Sequence, residues 1–188
     1  MTKKDIPNII SIVRIVLVVP ITYYLWSQNY LVALLLFLVG GLSDGLDGFL
    51  ARRYHWETEL GVMLDPMGDK LMMLSAYLLL GWHSLLPWWL VILVISRDLI
   101  LVFGTLLYRK FVAVAKLKPL YISKLNTVFQ ILLVLIIMFS QVITINQLIV
   151  DSILWLVAIT TVMSGYAYIN EWGNRAWHTL KGNKGNDS

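Results

Sequence analysis

Four aspartates, Asp44, Asp47, Asp65 and Asp69, stand in two pairs, and within each pair the spacing is three or four residues. On a helix those spacings put each pair on one face, about 4.5 and 6 Å apart along the axis. Carboxylates gathered without a counterion repel one another and take up protons, whereas a bound divalent cation reverses that balance. Oxygen donors suit hard ions, so the cluster predicts Mg²⁺ or Mn²⁺, with two ions accommodated when a phosphate adds further oxygens. Zinc is disfavoured, because no histidine lies in the cluster and the chain has no cysteine; His55 and His83 read as surface residues. Small residues accompany the acids: Gly45, Gly48 and Ala51 form one stripe, and Gly61 and Gly68 another. Such stripes permit close helix packing, the reading taken for Gly45 and Gly68. At Gly48 the missing side chain would let a nucleotide or diphosphate lie against the backbone. Arg52, five residues beyond Asp47, could set a positive fork on phosphate.

The elements carrying these residues must suit a very apolar chain. Of 188 residues, 59% are hydrophobic and 14% charged, and the mean hydropathy is +0.74. A soluble core of this length could not bury that much apolar surface, and disorder is excluded as well. Windows of about 20 residues give six spans near residues 8–27, 30–50, 64–82, 85–108, 123–142 and 148–169. The expected fold is therefore all-α, a polytopic integral membrane protein with six transmembrane helices. The absence of repeats and long linkers predicts a single domain over residues 1–188, with the polar tail after Glu171 frayed.

Lys3, Lys4, Arg52, Arg53, Arg109, Lys110, Lys116, Lys118, Arg175, Lys181 and Lys184 fall at one set of span ends, while the turns at 27–29, 81–86 and 142–147 contain no Lys or Arg. The positive-inside rule then puts both termini in the cytoplasm. The net charge of +4 reads as loops facing anionic headgroups rather than as nucleic-acid binding. Trp26, Tyr30, Trp82, Trp88 and Trp89 fit interfacial belts. The four aspartates gather where the second and third spans meet the cytoplasmic boundary, a depth at which each charge costs at least a few kcal/mol and a functional role is the default reading.

The segment Ser43–Lys70, SDGLDGFLARRYHWETELGVMLDPMGDK, fills every fixed position of the pattern D(x)2DG(x)2AR(x)8G(x)3D(x)3D. In this it resembles the CDP-alcohol phosphotransferase family, and the opening Ile6-Pro7-Asn8-Ile9-Ile10-Ser11 with Arg14 is similar to members that make anionic phospholipids. The resemblance implies that Asp44, Asp47 and Asp65 ligate metal, and that Asp69 both approaches the metal and acts as general base on the acceptor hydroxyl. It further implies that Gly48, Ala51, Arg52, Gly61 and Asn8 contact the CDP moiety, that CMP is the leaving group, and that the protein is a homodimer.

The stretch KLKPLYISKLNTVFQ over 116–130, with Ile95-Ser96-Arg97-Asp98 before it and Ser164-Gly165-Tyr166-Ala167-Tyr168 after it, resembles the branch of the family that builds cardiolipin from CDP-diacylglycerol and phosphatidylglycerol. Members that take glycerol 3-phosphate usually carry a Lys where this chain has Asn126 and an Arg where it has Thr105. Losing two cations favours the less highly charged acceptor, with glycerol 3-phosphate the alternative. Arg14, Arg97, Lys118, Lys124 and Asn126 are the expected contacts to acceptor or phosphate. Their structural alternatives are internal pairing for Arg14, an ion pair with Asp98 for Arg97, headgroup contact for Lys118 and snorkelling for Lys124.

A divalent-cation or proton-coupled transporter would also place carboxylates in a membrane. Its pathway should continue across the bilayer, yet near the far face Asp151 stands alone. The first span has no short apolar core with a small-residue cleavage site, and no Arg-rich transit peptide precedes it, which predicts a bacterial inner membrane, with the mitochondrial inner membrane as the alternative.

Overall fold

The computed structural model describes residues 6–54, 59–111 and 121–184, and the side chains within 12–43, 68–104 and 121–170. Among these residues the chain forms six helices and no strand: α1 (Ile6–Trp26), α2 (Tyr30–Tyr54), α3 (Glu59–Trp82), α4 (Trp88–Phe111), α5 (Tyr121–Ser140) and α6 (Gln147–Lys184). Each of the six apolar runs read from the sequence corresponds to one helix. α6 differs from expectation, because it continues through the polar tail to Lys184 rather than fraying after Glu171. Hydropathy reports the solvent of a segment and not its helicity. No proline interrupts 171–184, and Gly173 and Gly182 each cost only about 1 kcal/mol in a helix.

The turns between helices have local causes. After α1, the amides of Ser27, Gln28 and Asn29 bond back to the carbonyls of Tyr23, Leu25 and Tyr24, with Gln28 in the left-handed region at φ 58°. Asn29 then accepts from the Val32 amide at 3.4 Å, the N-cap position of α2. Ser84, at φ 59°, ends α3 in the same way, with the Leu85 amide reaching the Leu80 carbonyl at 2.9 Å. Pro87 follows and cannot extend a preceding helix.

The chain forms two compact units, one of Met1–Pro87 with Val134–Asn146, the other of Trp88–Leu133 with Gln147–Ser188. In the first, α1 packs on both α2 and α3. Its core draws on one stripe from each helix: Ile21 and Leu25 of α1, Ala33 and Phe37 of α2, and Met72, Ala76 and Leu80 of α3 are all buried. Arg14 lies seven residues before Ile21, and Asp69 three before Met72, so both continue these buried stripes toward one end of the unit. In the second unit α4 packs on α6. There the stripe Leu90, Val94, Arg97 on α4 is buried, as are Asn126, Gln130, Leu133 on α5 and Val157, Thr161, Ser164 on α6.

Outward faces are apolar, with Val19, Ile92, Leu148 and Trp155 among the most exposed side chains. Two helical segments, Tyr121–Ser140 and Gln147–Asn170, are long and apolar enough to cross a bilayer, and only 33% and 22% of their most apolar windows are buried within the protein. Most of each window therefore faces away from the protein interior. Because Ala76 is fully buried, Ala76→Leu should destabilise the purified protein by about 1–3 kcal/mol through overpacking. Thermal unfolding in detergent measures this, and the half-exposed Leu78 serves as an insensitive control.

Candidate active site

α2 carries positions 44, 47, 48, 51 and 52, and α3 carries 61, 65, 68 and 69. The expected helical spacing of the aspartates is thus met by the backbone. The side chains of Asp44, Asp47, Gly48, Ala51, Arg52, Gly61, Asp65 and Asn8 lie outside the described residues, and Lys118 lies outside them altogether. No group of three or more His, Cys, Asp or Glu side chains occurs among the described residues, which include only Asp69 of the four aspartates.

Asp69 is held from within the first unit. Nη1 of Arg14 donates to its Oδ1 at 3.0 Å, with the arginine side chain 0% exposed and the aspartate 44% exposed. A guanidinium removed from solvent needs a counter-charge, and a carboxylate supplies it directly. At Gly68 a Cβ would stand 3.5 Å from Cδ of Arg14 and 3.4 Å from Cγ1 of Ile15, ordinary van der Waals contact. α1 thus packs against α3 at this position, with the stem of Arg14 beside Gly68. Asp69 presents a half-exposed carboxylate, a hard-oxygen donor.

The second unit contains a separate polar cluster. Arg97 is 4% exposed and its guanidinium donates in three directions: from Nη1 to Asp98 Oδ1 at 2.7 Å, from Nη2 to Ser123 Oγ at 2.6 Å, and from Nη2 and Nε to Ser164 Oγ at 2.6 and 3.2 Å. One side chain thereby ties α4 to α5 and α6. The Asp98 pair was legible as a neighbour in sequence. Ser123 and Ser164 were not assigned roles, although hydroxyls three or four residues from other buried positions on their helices were the available signal.

Asn126 is fully buried and accepts at Oδ1 from the hydroxyls of Thr160 at 2.8 Å and Thr161 at 2.9 Å. Its Nδ2 is buried without a hydrogen-bond partner. Lys124, in contrast, is exposed. A recess of about 370 Å³ beside Trp89 and Trp155 is lined by apolar side chains only, so it offers no group for chemistry on a phosphate.

Residues 4–164 match the CDP-alcohol phosphatidyltransferase family, and the chain belongs to it. Among its relatives, cardiolipin synthase (CMP-forming) of Rattus norvegicus is 34% identical over 194 residues, covering 94% of this chain and 64% of the relative. The Homo sapiens protein of the same name is also 34% identical, over 193 residues with the same coverage. The chain thus spans 64% of the length of these two relatives. CDP-diacylglycerol–glycerol-3-phosphate 3-phosphatidyltransferase of Aquifex aeolicus is 32% identical over 165 residues, covering 85% of this chain and 90% of the relative.

Lysine cannot reproduce a planar fork that reaches Asp98, Ser123 and Ser164 together. Arg97→Lys should therefore lower the unfolding free energy by about 1–3 kcal/mol, the range for losing charge-assisted hydrogen bonds. Denaturant unfolding followed by tryptophan fluorescence tests this.

Proposed function

We propose that this chain transfers a phosphatidyl group from CDP-diacylglycerol to phosphatidylglycerol, forming cardiolipin and releasing CMP. The observation that carries the reading is the complete eight-residue pattern from Asp44 to Asp69, with Asp69 offered half-exposed on α3. The mammalian relatives named as CMP-forming cardiolipin synthases support this acceptor. Glycerol 3-phosphate is the second reading, supported by the Aquifex relative.

In this account Asn8, Gly48, Ala51, Arg52 and Gly61 hold the CDP moiety. The terminal glycerol hydroxyl attacks the β-phosphorus, the bond from that phosphorus to the oxygen shared with the α-phosphate breaks, and CMP leaves with that oxygen. Asp69 takes the hydroxyl proton. One or two Mg²⁺ or Mn²⁺ ions, held by Asp44, Asp47, Asp65 and Asp69, would neutralise phosphate charge and stabilise the departing CMP. Lys118 and Lys124 supply positive charge for the acceptor phosphate, while Arg97 and Asn126 serve it by holding α4, α5 and α6 in register. The six helices span the membrane with both termini and the aspartates on the cytoplasmic side, in a bacterial inner membrane and as a homodimer.

Purified protein in nanodiscs, given CDP-diacylglycerol and Mn²⁺, should yield cardiolipin and CMP with phosphatidylglycerol and no lipid product with glycerol 3-phosphate. Phosphatidylglycerophosphate as the product would overturn the acceptor assignment. Asp69→Asn should lower turnover by about 10²–10⁴-fold, and chelation should abolish activity until Mg²⁺ or Mn²⁺ is restored.

The cysteine-free sequence makes single-cysteine labelling clean. An impermeant maleimide added to intact cells should modify Thr144→Cys and spare His55→Cys. The opposite pattern would invert the topology.

A further inference from the structure

We propose that Arg14 is a positioning residue that acts through Asp69 rather than a ligand for substrate phosphate. The inference rests on the reading of Asp69 as metal ligand and general base. Three observations carry it. The Arg14 side chain is 0% exposed while Asp69 is 44% exposed, so the pair is sealed on the arginine side and open on the carboxylate side. A phosphate has no accessible guanidinium surface to bind, whereas anything reaching Asp69 meets a carboxylate held from behind. Oδ1 is the oxygen engaged, at 3.0 Å from Nη1, and this bond limits rotation of the carboxylate. The stem of the arginine passes beside Gly68, the residue preceding Asp69 on α3, its Cγ and Cδ 3.9 and 3.5 Å from where a Cβ would stand. The stem and the bond it delivers thus meet the same turn of helix. Groups that hold a metal-binding carboxylate in this way set its orientation, and removing them typically lowers metal affinity or activity by about 10–100-fold.

The sign of the effect separates orientation from charge. Deleting a cation beside a metal site should by itself tighten binding of Mn²⁺. Loss of orientation should weaken it. Because Asp69 is partly solvated, Arg14→Gln does not strand a fully buried charge, and Arg14→Lys keeps the charge while losing the fork.

The test uses the full chain in nanodiscs and reads Mn²⁺ binding without substrate by electron paramagnetic resonance, together with kcat and the KM for CDP-diacylglycerol. Arg14→Gln should weaken Mn²⁺ binding and lower kcat, each by about tenfold or more, with KM changed less than about threefold. Arg14→Lys should recover part of both. In an Asp69→Asn background, Arg14→Gln should add little further loss of Mn²⁺ affinity, as expected when one residue acts through the other. Unchanged or tighter Mn²⁺ binding with a raised KM would overturn the proposal in favour of a phosphate contact. Losses that simply add in the double variant would overturn it as well. If the wild-type protein binds no Mn²⁺ and Asp69→Asn retains full turnover, the reading of Asp69 itself fails and the proposal with it. That result is distinct from a harmless Arg14→Gln in an enzyme that binds Mn²⁺ and depends on Asp69.

Discussion

The ion pair between Arg14 and Asp69 answers the most severe physical demand this sequence makes. A guanidinium on the buried stripe of α1 has no water to solvate it, and a bare charge in such surroundings costs several kcal/mol or more. Asp69 meets that demand at 3.0 Å. The packing of α1 on α3 delivers the contact. The same carboxylate remains half-exposed. Structural pairing and availability for chemistry thus coexist in one residue because its two sides face different environments.

The second unit also buries an arginine against polar partners. Arg97 is buried among the hydroxyls of Ser123 and Ser164 and the carboxylate of Asp98, and Asn126 is buried against two threonines. In both units the buried stripes are apolar over part of their length and polar toward one end: Leu80, Ala76 and Met72 lead to Asp69, and Leu90 and Val94 lead to Arg97. The apolar portion makes the helices pack, and the packing then fixes where the polar residues stand.

Much of this arrangement could be read from residue types. Six apolar runs separated by turn residues became six helices, because runs of that length have few other ways to satisfy their backbone in an apolar setting. The alternative partner suggested for Arg97 was its neighbour Asp98, and the pair is present. The partner of Arg14 was not legible, since Asp69 lies 55 residues away and a single sequence carries no signal that joins positions on different helices. Ser123, Ser164, Thr160 and Thr161 were equally hidden, because a hydroxyl on an apolar helix looks the same whether it faces lipid or an arginine. The end of α6 was misjudged because a polar, glycine-containing tail resembles a frayed terminus. The two compact units also left no mark, since α5 contributes to both and no linker separates them.

The central claim is that an acceptor hydroxyl attacks the β-phosphorus of the CDP-linked lipid at the Asp69 end of α3. Its most direct test supplies phosphatidylglycerol carrying ¹⁸O in the terminal glycerol hydroxyl, together with unlabelled CDP-diacylglycerol and Mn²⁺, and determines by mass spectrometry where the label goes. The account predicts that cardiolipin retains the ¹⁸O in its new phosphodiester and that CMP is unlabelled. Cardiolipin formed without the label would mean that the acceptor's carbon–oxygen bond is broken instead, and would contradict the account.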